Sequence, residues 1–184
     1  MKPTVFLDRD GVLNENIVRN NRPFAPQSFD DFVVSVGAAD AVAAFRASGY
    51  LSIVATNQPD VGARKVRREV VEQMHEKLRA EVKIDDILVC YHIDADHCQC
   101  RKPKPGMLLA AVQQYNIDLS RSWMIGDHWR DIDAGRAAGC RTIFIDYAFA
   151  EQRPESPDVV VQSLTEAVPY VLRTGLNSSG KGYG

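Results

Sequence analysis

The chain alternates short apolar runs with amphipathic helical patterns, and this alternation restricts the folds open to it. Apolar runs fall at residues 4–7, 51–55, 87–89, 123–125 and 142–145, with a sixth at 159–161. Residues 38–47 are Ala-rich and amphipathic, and Gly49 follows where helices stop. Residues 65–82 carry Val66, Val70, Met74 and Leu78 at fourfold spacing, which predicts a long charged helix with one apolar face. Pro105 opens another helical pattern through Tyr115, Gly139 closes a short one over 131–138, and a last one covers 164–172. Residues 15–36, with Pro23 and Pro26, lack periodicity and read as a loop holding a short strand or hairpin. Strands that alternate with helices build a parallel sheet covered on both faces. The expected class is α/β, a Rossmann-like sheet of five to six strands. Residues 1–174 are expected to form one domain, and the Gly- and Ser-rich residues 175–184 a flexible tail.

Charge excludes some partners. The 22 Lys and Arg residues against 24 Asp and Glu give a formal charge of −2. Nucleic-acid and anionic-membrane binders need a broad positive field, so neither partner is expected. No apolar run approaches the roughly 18 residues of a spanning helix. The chain enters its first strand directly after Met-Lys-Pro, without the pattern of a secretory leader. A cytoplasmic protein is expected, as a monomer or weak homo-oligomer.

Parallel sheets bind ligands outside the carboxyl ends of their strands. The chemically informative residues stand at those ends: Asp8 and Asp10, then Thr56 and Asn57, then Cys90 and His92, then Asp127. An isolated Asp-x-Asp beside glycine is most simply a solvated turn. Here a second strand also ends in aspartate, and carboxylates gathered at one sheet edge repel one another unless a cation sits among them. Hard oxygen ligands with open positions suit Mg²⁺. A carboxylate beside it can attack phosphorus and form an aspartyl phosphate. A neighbouring carboxyl group can protonate the leaving oxygen and then activate water. The segment Arg101-Lys102-Pro103-Lys104-Pro105-Gly106 is either a solvated loop or a cation aimed at a phosphoryl group. Thr56 could add a hydroxyl to the same oxygens.

Three of the four cysteines, Cys90, Cys98 and Cys100, fall within eleven residues together with His92. In a reducing compartment such a cluster points to metal rather than to disulfides. Four N/S ligands leave no open position, which suits a structural Zn²⁺. Free surface thiols are the plainer alternative, and His97 competes with His92 as the nitrogen ligand. Cys140 reads as a small buried hydrophobe.

Taken in order, these segments resemble the haloacid dehalogenase superfamily of phosphotransferases. Asp8-Arg9-Asp10-Gly11-Val12-Leu13-Asn14 is similar to its first motif and Thr56-Asn57-Gln58 to its second. Arg101-Lys102-Pro103 is similar to the third, and Gly126-Asp127-His128-Trp129-Arg130-Asp131 to the fourth. The resemblance implies Asp8 as nucleophile and Asp10 as general acid/base, with Thr56 and Lys102 holding the phosphoryl group. It also implies that Asp8, the Asp10 backbone carbonyl and Asp127 bind Mg²⁺, with Asp131 either a further ligand or a group behind them. The DRDG start and the CxH…CxCRKPxPGM segment resemble a narrower, capless group with a zinc-binding loop. That group holds heptose 1,7-bisphosphate phosphatases and histidinol-phosphate phosphatase domains. In it Cys90, His92, Cys98 and Cys100 would bind zinc, pinning the loop that presents Arg101 and Lys102.

The implied substrate is a small phosphorylated metabolite, most simply a sugar phosphate. Asn57, Gln58, Arg101, Arg64 and His128 are the candidate contacts to it. After Thr56-Asn57-Gln58 the chain reads Pro59-Asp60-Val61-Gly62-Ala63-Arg64, where the heptose enzymes usually have Ser-Gly-Ile-Ala-Arg-Gly. His128 stands where they usually have lysine, so the leaving group is less constrained than the chemistry. Two other readings differ in what they need. A polynucleotide 3′-phosphatase needs a basic groove or stacking aromatics, and 8% aromatics with this charge supply neither. A catalytically silent module, or a receiver domain phosphorylated on aspartate, has no use for Asp10 as a proton shuttle.

Overall fold

The computed structural model describes residues 1–176, with side-chain surroundings through Arg173. Six parallel strands form its main sheet: β1 (Thr4–Leu7), β4 (Leu51–Asn57), β5 (Asp86–Cys90), β6 (Trp123–Gly126), β7 (Arg141–Ile145) and β8 (Val159–Val161). Their spatial order is β5-β4-β1-β6-β7-β8, which puts β1 between β4 and β6. β1 is buried along its whole length, as a strand covered on both faces must be. Side chains alternate across a strand. Val5 and Leu7 therefore join a core with Phe45 of α1 (Ala38–Ala47), Met74 and Leu78 of α3 (Arg68–Glu81), and Val171 of α6 (Leu164–Leu176). Phe6 points the other way, among Met107, Leu108 and Ala111 of α4 (Gly106–Tyr115). α5 (Trp129–Ala138) packs on β6, β7 and α4. Phe6→Ala would cost about 3–5 kcal/mol, the usual toll of an aromatic cavity in a closed core.

The aperiodic segment expected to hold a hairpin contains β2 (Ile17–Arg19) paired antiparallel with β3 (Arg22–Phe24). The long helix expected over 65–82 forms but starts three residues late. A short turn of helix, α2 (Pro59–Gly62), comes first, and α3 begins only at Arg68. Its buried face is Val71, Met74, His75 and Leu78, while Val66 is buried ahead of the helix and Val70 only half-buried. The reason is geometric: a strict fourfold spacing drifts about 40° per step around a helix of 3.6 residues per turn. The mixed spacing of three and four keeps to one face. Pro105 is the N-cap of α4 rather than its first helical residue. α5 starts at Trp129, two residues earlier than its apolar pattern, because His128 and Asp131 cap it reciprocally. Cys140 is buried, as expected of a small hydrophobe. Of the tail expected from Gly175, the first two residues continue α6, and 177–184 lie outside the described residues. Among the described residues no helix is long and apolar enough to cross a membrane.

Candidate active site and cysteine–histidine cluster

Adjacent strands β4, β1 and β6 end side by side, and their C-terminal residues meet in one cavity of about 250 Å³. Asp8 follows β1, Asp127 follows β6, and Asp131 reaches in from the first turn of α5. One carboxylate oxygen from each lies within 4.8 Å of the others. Lys102 arrives from the loop before α4, is 1% exposed, and places Nζ 3.0 Å from Asp8 Oδ1 and 2.5 Å from Asp131 Oδ1. Asn57 holds that loop: its Nδ2 donates to the Lys102 carbonyl at 3.0 Å, and its Oδ1 accepts from the Lys102 N–H at 3.1 Å.

Two glycines make the packing possible. Gly11 adopts φ +76, and a Cβ there would overlap the Asp127 carboxylate. A Cβ on Gly126 would overlap Asp131. The motif glycines thus let backbone approach carboxylate.

The electrostatics are unfavourable without a further cation. Burial pushes Asp8 up to about 7; repulsion from Asp131 and Asp10 adds to this, and Lys102 opposes it. Burial likewise raises Asp127 well above the usual carboxylate range, with Asp8 and Asp131 repelling it and Asn16 partly offsetting them. With all three carboxylates ionised, Lys102 would neutralise one, and one divalent cation would balance the two negative charges that remain. The donors are hard oxygens open to a cavity, which suits magnesium and a phosphate oxygen together.

The other expected site residues are distributed unevenly. Thr56 is buried at the end of β4. Gln58 was expected to touch substrate; instead it is 4% exposed and donates to Asp10 Oδ2 at 2.7 Å and Thr56 Oγ1 at 3.0 Å. It orients two site residues from behind. Arg64 is a correction: it stands exposed on the turn after α2 with φ 59 and does not line the cavity. The short α2 ends there and carries the arginine outward. Arg101 and His128 do line the cavity. Arg101 Nε donates to Asp94 at 2.7 Å, and its buried Nη1 has no hydrogen-bond partner among the described residues. His128 accepts from the Arg130 N–H at Nδ1, 3.2 Å, and its Nε2 lies 3.6 Å from Glu151.

Several further residues line the cavity. Asn16 donates to Asp127 Oδ2 at 2.7 Å. Phe24 of the hairpin, Arg130 and Glu151 complete the rim. No periodic signal marks them, because they come from loops, the end of a three-residue strand and a helix start. Arg9, the middle residue between the two aspartates of the first motif, is fully buried and salt-bridged to Asp10.

The cysteine–histidine cluster sits where β5 ends. Cys90 Sγ lies 3.2 Å from Cys100 Sγ and 3.7 Å from Cys98 Sγ, and Cys98 and Cys100 are 3.5 Å apart. His92 Nδ1 is 3.3 Å from Cys100 and 3.5 Å from Cys90. Zinc–sulfur bonds of about 2.3 Å arranged tetrahedrally require S···S edges of about 3.8 Å. The four groups are therefore already near the spacing of a closed zinc site. His92 supplies the nitrogen of this group; His97 lies outside it and caps a separate turn with φ 48, its N–H donating to the Asp94 carbonyl and its carbonyl accepting from Lys104.

With this geometry in view, the relatives of the chain are informative. A family model described as HAD-hydrolase-like matches residues 99–167. A D-glycero-beta-D-manno-heptose-1,7-bisphosphate 7-phosphatase of Neisseria meningitidis is 38% identical over 140 residues, covering 73% of this chain and 72% of that one. A protein of the same name from Vibrio cholerae is 34% identical over 190 residues, covering 94% and 97%. Among solved structures, a D,D-heptose 1,7-bisphosphate phosphatase from B. bronchiseptica, complexed with magnesium and phosphate, matches with a TM-score of 0.76 and 27% identity. It covers 93% of this chain and 98% of that one. Four motifs converging at one sheet edge, on a fold shared with these relatives, lead to one assignment: the chain belongs to the haloacid dehalogenase-like hydrolases and is a phosphatase.

Proposed function

We propose that the chain is a magnesium-dependent phosphomonoesterase that works through an aspartyl phosphate on Asp8. Its best-supported substrate is D-glycero-D-manno-heptose 1,7-bisphosphate, losing the 7-phosphate. The observation that carries the chemistry is the meeting of Asp8, Asp127, Asp131 and Lys102 in one cavity. The names of relatives over 30% identical across most of the chain support the substrate.

In this reading an Asp8 carboxylate oxygen attacks phosphorus as the bond to the leaving oxygen breaks. Asp10 gives that oxygen its proton. Water then attacks the phosphorus of the aspartyl phosphate and passes a proton to Asp10, releasing phosphate and restoring Asp8. Lys102, fixed by Asp131 and the Asn57 bracket, meets the charge that spreads over the phosphoryl oxygens, and Thr56, whose Oγ1 accepts from Gln58, would add its hydroxyl to the same oxygens. Asp8, the Asp10 carbonyl and Asp127 would hold magnesium, with Asp131 close by. When bound it supplies positive charge to the phosphoryl oxygens and relieves the carboxylate repulsion. Cys90, His92, Cys98 and Cys100 would hold structural zinc, two residues short of Lys102. At the rim, Arg101 and Arg130 are the cations available to a second phosphate.

The deciding experiment is phosphate release with and without Mg²⁺. Its panel holds both anomers of the heptose bisphosphate, histidinol phosphate, other sugar phosphates and a 3′-phosphorylated oligonucleotide. Fast release from the heptose bisphosphate, abolished by Asp8→Asn, supports the proposal. Faster release from histidinol phosphate or another ester would replace the substrate and keep the mechanism.

A further inference from the structure

Arg9 lies between the two aspartates of the first motif, and its side chain runs into the protein rather than toward the cavity lining. It is fully buried against Phe32, whose ring centre is 5.5 Å from Cζ. Nε donates to Asp10 Oδ1 at 3.2 Å, and Nη2 donates to Oδ1 at 2.9 Å and Oδ2 at 3.1 Å. Nη1 lies 3.2 Å from His75 Nε2. A guanidinium can only donate, so His75 must accept at Nε2 and carry its proton on Nδ1, the side facing Glu72 at 3.6 Å. Burial, with Arg9 beside it, holds His75 low, at about 4, which keeps the ring the neutral acceptor that this contact needs. His75 itself is fixed on α3, whose neighbouring Met74 and Leu78 are fully buried in the core.

We propose that Arg9 is a positioning residue for proton transfer: its fork sets the plane of the Asp10 carboxylate, and His75 sets the fork. The inference rests on Asp10 being the group that gives its proton to the leaving oxygen and takes one from water. Arg9 neither gives nor takes a proton. It limits rotation of the carboxylate, assisted by Asn14 at 3.1 Å and Gln58 at 2.7 Å. Proton transfer needs the oxygen lone pair aimed at its partner, and small misplacements cost rate steeply. Lysine keeps the charge but not the planar fork. A buried arginine that only held the fold together would leave the chemistry of the leaving group untouched.

The test compares kcat/KM for two esters with aromatic groups of similar size. Benzyl phosphate releases an alkoxide-like oxygen that needs a proton. 4-Nitrophenyl phosphate releases a stable phenolate that does not. Asp10→Asn should lower the benzyl ester by about a hundredfold or more and the nitrophenyl ester far less. Arg9→Lys and His75→Leu should show the same split on a smaller scale, about tenfold against about twofold. His75→Gln, whose Oε1 can still accept from Arg9, should recover most of the loss. Equal losses on both esters, or none in either variant, would overturn the positioning role. Absence of a split in Asp10→Asn would instead bring down the proton-transfer assignment, and Arg9's role with it. If Arg9→Lys does not fold, His75→Leu against His75→Gln carries the same comparison.

Discussion

The aspartate cluster and the cysteine–histidine cluster lie close in sequence, since Cys100 and Lys102 are two residues apart, yet they are built on opposite rules. The first is three carboxylates around an open cavity, with Lys102 inside and two negative charges in excess. The second is three sulfurs and one imidazole facing one another, four groups that would fill a tetrahedral shell. An open set of hard oxygens leaves coordination positions for a substrate, whereas a closed soft set uses all of its positions on the protein. The difference teaches why one chain would carry both: in the function proposed above, the open site would bind and release phosphate, and the closed one would keep Lys102 in place while it does.

The contrast can be broken at either cluster. Asp8→Asn should lower phosphate release by about 10³-fold or more while leaving the unfolding temperature near that of the wild type. A variant that keeps substantial turnover would show that Asp8 is not the nucleophile. Lys102→Met should cost both rate and stability. It leaves the buried Asp131 and the partly buried Asp8 without their cation, a situation worth about 3–5 kcal/mol. Chemical denaturation with and without magnesium checks this, and added magnesium should recover part of the loss; a variant as stable as the wild type would mean the carboxylates are already paired otherwise.

Cys98→Ser should act the other way round, on stability before chemistry. Losing one of four ligands of a structural zinc should lower the melting temperature by about 10 °C or more. Metal analysis beside calorimetry tests the point, because protein purified without zinc and indifferent to chelators would remove the closed site from the comparison.

The smallest effect sharpens the background against which both clusters are measured. Burial places His75 at about 4 in the fold, against 6.5 when unfolded. Between those values the unfolded chain binds a proton that the folded chain does not, so stability is lost as pH falls through that window. His75→Gln should therefore remove about 2 kcal/mol of the loss between pH 8 and pH 5. Parallel denaturation curves for the two proteins at both pH values would read it directly, and identical losses would place the acid sensitivity elsewhere.

Much of the architecture is legible in the one-dimensional pattern. Runs such as 4–7 and 51–55 are apolar without alternation, which only a strand buried on both faces needs, and β1 and β4 are such strands. The chemistry-bearing residues Asp8, Thr56, Cys90 and Asp127 could be found because each stands where an apolar run ends. The fourfold pattern over 65–82 misled at its start, since an amphipathic count does not register that Arg64 is left-handed and Arg67 extended, which delays the helix to Arg68. Gln58 and Arg64 lie six residues apart, and both were candidates for substrate; one turns inward to Asp10 and the other outward to solvent. That choice depends on backbone direction after β4, which residue types alone do not encode.

The order of motifs, the ligand types at each cluster and the parallel α/β class were therefore set by local sequence, because periodicity and donor chemistry are local properties. Folding decided what lies far apart along the chain. It chose His92 over His97, brought Asp131 onto Lys102, closed Asn16 over Asp127 and set His75 behind Arg9. Those pairings depend on which strands lie side by side and on which face of a helix turns inward, and only the packing of the whole sheet determines both.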